Sequence, residues 1–357
     1  MSRSFALLSA SVALLAAACG GDPKPAATPA PEMSASAMPT VTAAPSASTA
    51  PSVEPKVEKP VEPEPTKAAV TFTGPFATPE SVLYDAANDR YLVSNINGMP
   101  GAVDNNGFIS ELTPDGKIKA EKWIEGGKNK VTLDAPKGMA IVKGVLYVAD
   151  ISTVRMFDAK TGAPKGEVKL EGATFANDVA ASADGKIYVS DSGIKISEKG
   201  IDPTKTDAVW VIEKGKAKAF AKGEELGHPN GLLVEGKNVV VVTFGSGELY
   251  KLDEKGTKTG AVKFPKGSLD GVVSVGGKFF VSSWEGASVF ASDGVGAGAT
   301  AVLVGTKTPA DIGFDSKRNR ILVPNFNGNA VQAFDVKWAP DRPRRNNKAP
   351  ENCRGLS

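Results

Sequence analysis

Six polar side chains stand at matched places in a repeating sequence: Glu80, Lys137, Asn177, Asn230, Asp270 and Asp311. Five of them offer oxygen. Carboxylates and amide carbonyls gathered together suit a hard divalent cation, calcium first, with magnesium, manganese and zinc as the other candidates. Crowded carboxylates repel one another, and such an ion relieves the repulsion. Lys137 is the odd member. It is either a charge partner for Asp311 or Asp150, or it points away. For any one of the six, a hydrogen-bonded channel lining is the competing role.

Only a fold that gathers distant strands can bring these residues together. Each opens one copy of a short pattern: Pro79-Glu80-Ser81-Val82, Pro136-Lys137-Gly138-Met139, Ala176-Asn177-Asp178-Val179, Pro229-Asn230-Gly231-Leu232, Leu269-Asp270-Gly271-Val272 and Ala310-Asp311-Ile312-Gly313. An apolar strand centred on a valine follows 11 to 13 residues after each leading residue, at Val93, Val148, Val189, Val241, Val281 and Val323. The leading residues are 57, 40, 53, 40 and 41 positions apart, and propeller blades run roughly 40–50 residues. The expected fold is all-β, a six-bladed β-propeller whose rotation sets the leading residues in one ring.

The last repeat offers three strands, Ile312–Phe314, Ile321–Val323 and Val331–Val336. Val70-Thr71-Phe72 is expected to supply the fourth, so that the two ends of the domain close the last blade and remove a sheet edge. Two positions past each valine lies a polar residue (Asn95, Asp150, Asp191, Thr243, Ser283, Asn325), expected at a rim reached by water. Two loops after those positions are long, Asn95–Gly107 and Asp191–Asp207, and on this topology they overhang the ring. Asp184-Gly185, Asp115-Gly116 and Asp293-Gly294 read as turns, not ion ligands.

The bulk numbers exclude several classes. The chain has 357 residues, 42 basic and 40 acidic, for a net charge of +2. That leaves no broad electrostatic footprint for nucleic acid. Arg342-Pro343-Arg344-Arg345 reads as a solvated basic tail, over 338–357. The two cysteines, Cys19 and Cys353, make neither a disulfide framework nor a zinc knuckle. The single histidine, His228, rules out a multi-histidine metal site. It stands two residues before Asn230, as a base or substrate contact near the ring or as a cap on the turn entering the fourth blade.

Residues 1–18 read as a signal peptide: Arg3 precedes an apolar run, Phe5 to Ala18, that is shorter than the about 20 residues of a membrane span. Leu15-Ala16-Ala17-Ala18-Cys19 resembles a bacterial lipobox, which makes Cys19 the lipidated N-terminus. By resemblance to Gram-negative lipoproteins, Gly20 implies sorting to the outer membrane. Residues 19–68 are rich in Pro, Ala, Ser and Thr and read as a disordered tether. The propeller itself is expected over 69–337.

From about residue 70 to 337 the chain resembles the regucalcin/gluconolactonase (senescence-marker-protein-like) family of propellers. The resemblance rests on Glu80 after a proline, Asn177-Asp178, Pro229-Asn230-Gly231-Leu232 and Asp270-Gly271. It implies a divalent metal held by Glu80, Asn230 and Asp270, with Asn177 acting through water or substrate. It also implies Asp270 as the catalytic base of a lactone-opening reaction. Asp178, His228, Trp284 and Asp311 are expected substrate contacts. Phe175 stands where sugar lactonases of the family carry an arginine, which points to a less polar substrate. The expected function is a metal-dependent lactonase-like hydrolase of the bacterial cell envelope, acting on a small lactone or ester. The alternative is a non-enzymatic envelope propeller with a structural ion and a ligand- or protein-binding top face.

Overall fold

The computed structural model describes residues 63–336. The signal peptide, Cys19, most of the tether, the basic tail and Cys353 lie outside them. Six four-stranded antiparallel sheets form the blades. Their innermost strands are Pro79–Asp85, Pro136–Val142, Ala176–Ala181, Pro229–Glu235, Leu269–Val275 and Gly313–Asp315. The second strands are Arg90–Asn95, Val145–Asp150, Ile187–Asp191, Asn238–Thr243, Lys278–Ser283 and Arg320–Asn325.

The second strands are buried along almost their whole length because both faces of every blade are covered. Successive strand residues point to opposite faces. In blade four, Val239 and Val241 pack with Tyr188 and Val209 of blade three, while Val240 and Val242 pack with Val281 of blade five. Six such buried clusters occur, one at each blade-to-blade contact. The circle closes as expected: Val70–Thr73 pairs antiparallel with Ala330–Asp335 and completes blade six. Phe72 fixes this strand, buried edge-on against Tyr91 of blade one at 5.9 Å. Blade six also meets blade one along their innermost strands, where Val82 N donates to Asp311 O at 3.3 Å and Asp311 N to Glu80 O at 2.9 Å.

The entering chain is held from Thr66 onward, whose amide donates to Val304 O at 2.9 Å. Asp184-Gly185 turns the hairpin between Ala176–Ala181 and Ile187–Asp191, with Gly185 at φ 93°. The loop at 191–207 carries a small hairpin, Ile194–Ser197 with Gly200–Pro203. It touches the other long loop: a Cβ on Gly101 would lie 3.3 Å from Ile196 O.

Candidate functional site

The leading residues sit where five innermost strands break register against their partners, at Pro79–Ser81, Pro136–Met139, Ala176–Val179, Pro229–Leu232 and Leu269–Val272. A bulge at a strand end re-aims the side chain it carries. Here it turns Glu80, Lys137, Asn177, Asn230 and Asp270 into one cavity of about 190 Å³. Serines on the second strands hold three of the bulges. Ser94, Ser190 and Ser282 accept from the amides of Ser81, Asp178 and Gly271 at 2.8–3.0 Å. Ser190 and Ser282 then donate to Asn230 O and Ala310 O of the next blade, at 2.6 and 2.8 Å.

Four oxygens in that cavity are buried and have no hydrogen-bond partner: Glu80 Oε2, Asn177 Oδ1, Asn230 Oδ1 and Asp270 Oδ1. Neighbouring contacts account for how two of them point. Asn177 Nδ2 donates to Ser192 Oγ at 3.2 Å, which turns its carbonyl oxygen away from the serine. Trp284 Nε1 donates to Asp270 Oδ2 at 2.8 Å, leaving Oδ1 free. Among the described residues there is no group of three or more His, Cys, Asp or Glu side chains placed to share a metal. The convergent set is two carboxylates and two amides. As a donor set it fits a hard cation that takes oxygen from both kinds of group.

Burial raises the Glu80 carboxyl well above the usual carboxylate range, with Asp270 and Asp311 adding to the rise and Lys137 opposing it. Burial likewise pushes Asp270 up to about 8, against the lowering effect of the Trp284 hydrogen bond. Lys137 is 1 % exposed. Its ammonium donates to Ala135 O at 2.9 Å and lies 4.4 Å from the centre of the Phe175 ring. Burial lowers its pKa, while Glu80, Asp150 and Asp134 pull it back up. It forms no ion pair with Asp311 or Asp150. Asp150 is engaged by Arg155 at 2.8 Å.

Of the other expected contacts, Phe175 and Trp284 line this cavity. Asp178 and Asp311 do not. They face a second cavity further along the innermost strands, about 280 Å³, with Ser81. Asp178 accepts from the amides of Leu232 and Val179, both at 2.6 Å, and Asp311 accepts from Ser81 Oγ. His228 also lies off the cavity lining. Its amide donates to Asp207 Oδ1 at 2.7 Å, and its Nδ1 lies 2.8 Å from Ser192 O. It occupies a recurring loop position in the left-handed region, φ 57°, as do Thr78, Ser268 and Thr308 at 55, 50 and 44°.

The polar residues two past each valine are not a wetted rim. Asn95, Asp150, Asp191, Thr243, Ser283 and Asn325 are all buried. Several of them bind the loop that enters the innermost strand. Asp191 accepts from Phe175 N at 2.9 Å, Asp150 from Ala135 N at 2.8 Å, and Asn95 from Ala77 N at 3.1 Å.

The cavity wall comes from one position further on, three past the valine. Ile96, Ser192, Phe244, Trp284 and Phe326 all line it. Each amide bonds the carbonyl of the incoming loop, from Thr78, Phe175, His228, Ser268 and Thr308 respectively, at 3.0–3.1 Å. Phe244 and Trp284 meet edge-on at 5.7 Å, and Trp284 and Phe326 at 4.9 Å, giving an aromatic wall over three blades. Both long loops overhang as expected, adding Pro100 from one and Ile194, Ile196 and Ile201 from the other.

Neither a protein-family model nor a curated protein sequence matches the chain at significance. Among solved structures it is similar to a streptogramin B lyase, at 11 % identity and TM-score 0.50, over 74 % of this chain and 95 % of that one. It is also similar to a chain in the crystal structure of a nidogen/laminin complex, at 16 % identity and TM-score 0.47, over 61 % and 77 %. At 11 % identity, the likeness to the lyase shows the shared fold.

Proposed function

We propose that this chain is a metal-dependent, lactonase-like hydrolase that opens a small apolar lactone or ester. The reading rests on one observation: four buried, partnerless oxygens, from Glu80, Asn177, Asn230 and Asp270, converge on one cavity. Native proteins rarely leave buried acceptors unanswered, and each such group needs an explanation. One divalent cation would satisfy them together. Glu80, Asn230 and Asp270 would hold it directly, and Asn177 through water or substrate. Such a cation polarises an ester carbonyl and makes water a better nucleophile at neutral pH.

The protein's own groups do the rest. Asp270 doubles as the candidate general base: its Oδ1 would face both the cation and the attacking water, while the Trp284 indole holds Oδ2 and fixes the carboxylate plane. The aromatic wall and the two loops take the apolar body of the substrate and exclude solvent. Phe175, in place of a polar sugar contact, favours an apolar acyl or alkyl group. A fold shared with a protein named as a lyase is in keeping with bond cleavage on this scaffold. The envelope address, with a lipid at Cys19 and an outer-membrane location, is part of the same proposal and rests on the sequence of residues 1–20.

The experiment is turnover of a panel of lactones and aryl esters by the full chain, with calcium and after chelation. The expected result is turnover that chelation abolishes and Asp270→Asn removes. Turnover that survives either treatment overturns the mechanism. Calcium that raises the melting temperature while no ester reacts would favour a binding propeller, which the aromatic wall also suits.

A further inference from the structure

Lys137 is the one basic side chain on the cavity wall among the described residues. A lysine ammonium has three donors. One is spent on Ala135 O, and no ion pair within the described residues uses the others. A buried cation held by one carbonyl and one aromatic face is costly. A place in the ring that the other blades fill with amides or carboxylates therefore carries a charge with no carboxylate in direct contact: of the acids that act on it through space, Glu80 would be engaged by the cation, and Asp150 and Asp134 are paired with Arg155.

Counting charge on the cavity wall gives the complement. Glu80 and Asp270 contribute −2, a divalent cation cancels them, and Lys137 leaves a surplus of +1 in a pocket whose remaining lining is uncharged and largely apolar. We infer that Lys137 is a specificity-determining residue, which selects ligands carrying a carboxylate on a small apolar body. The inference deepens the proposed function, on which it rests, and names its ligand class. The ring-opened product of any lactone bears such a carboxylate. Phe175 supports the assignment from the other side. Its ring lies under the ammonium, 4.4 Å from the nitrogen, and supplies the apolar surface beside the charge.

The test is calorimetric binding of 3-phenylpropionate and of 3-phenylpropanol to the full chain with saturating calcium. The acid should bind at least tenfold tighter than the alcohol. Lys137→Met, close in length and apolar, should erase that preference and leave alcohol binding within threefold of its original value. Lys137→Gln serves if the methionine variant does not fold. A wild-type protein without the preference, or a folded variant that keeps it, overturns the inference. Calcium binding is read separately from the melting temperature of the same samples. Failure of calcium to bind would sink the cation reading, while a lysine-dependent acid preference measured without calcium would still uphold the role of Lys137.

Discussion

Trp284 Nε1 donates to Asp270 Oδ2 at 2.8 Å, tying the end of one strand to the leading residue of its neighbour in the same blade. The bond occupies one carboxylate oxygen and aims the other at the cavity. Trp284→Phe keeps the ring between Phe244 and Phe326 but leaves Oδ2 buried without a donor. A hydrogen bond to a charged group contributes about 1.5–3 kcal/mol. Calcium affinity should fall roughly tenfold, with a smaller loss of stability. Calcium titration of the variant followed by thermal melting checks both.

The ring itself should respond in opposite directions with and without cation. Burial raises the proton affinity of both Glu80 and Asp270; the Asp270 charge adds to the rise at Glu80, and the Asp178 charge to the rise at Asp270. Glu80→Gln and Asp270→Asn each remove one charge. In a chelator, either variant should melt at or above wild type, by about 1 kcal/mol or less. In calcium, the wild type should gain stability and both variants should not. Equal calcium shifts in all three proteins would contradict the ring assignment.

The leading residues were legible because the repeat holds their offset to the following valine nearly constant while keeping them polar. The closing strand was legible because blade six was one strand short. The rest is hidden from the sequence for physical reasons. Asn95, Asp150 and Asp191 are polar in order to catch backbone amides of an incoming loop, a contact no local pattern reveals. The cavity wall changes residue type from blade to blade, as Ile96, Ser192, Phe244, Trp284 and Phe326. It was visible by offset, though not by chemistry. The aspartate after Asn177 follows it in sequence, yet alternation along the strand sends it to the other cavity, against Leu232 N.

The two raised carboxyls give stability a slope with pH. A carboxyl whose pKa rises on folding binds its proton more tightly in the native than in the unfolded chain. The native state is therefore favoured at low pH. That advantage drains away as pH climbs from the ordinary carboxylate range through about 8, where Asp270 ionises. In chelator, melting temperature should drop on the order of 5 °C between pH 5 and pH 8. Calcium competes with those protons, so its stabilising effect should be larger at pH 8 than at pH 5. A calcium shift that shrinks as pH rises would contradict the assignment.

His228 separates scaffold from chemistry. Its amide and ring are tied to Asp207 and Ser192 O, away from the cavity lining. Gly245 packs on the ring, where an added Cβ would come within 2.3 Å of Cδ2. His228→Asn keeps a side chain that tolerates positive φ and should cost about 1 kcal/mol of stability. Calcium affinity should move less than threefold. A pH-dependent step in turnover that disappears in this variant would instead assign the imidazole to the reaction.

The spacing of the ring depends on a glycine with no room beside it. A Cβ on Gly231 would lie 2.2 Å from Asp270 O and 2.9 Å from Gly271 Cα, so blade four approaches blade five backbone to backbone. Gly231→Ala must push those strands apart, and overpacking of this kind costs about 1–3 kcal/mol. The displaced group is the main chain of a proposed ligand, so calcium affinity should fall together with stability, by tenfold or more. Gly298→Ala is the control: nothing lies within 4 Å of its Cβ position and its φ is not positive. That change should stay within about 0.5 kcal/mol of wild type and leave calcium binding intact. If Gly231→Ala lowered stability but left calcium affinity untouched, the ring geometry would not be what sets the affinity.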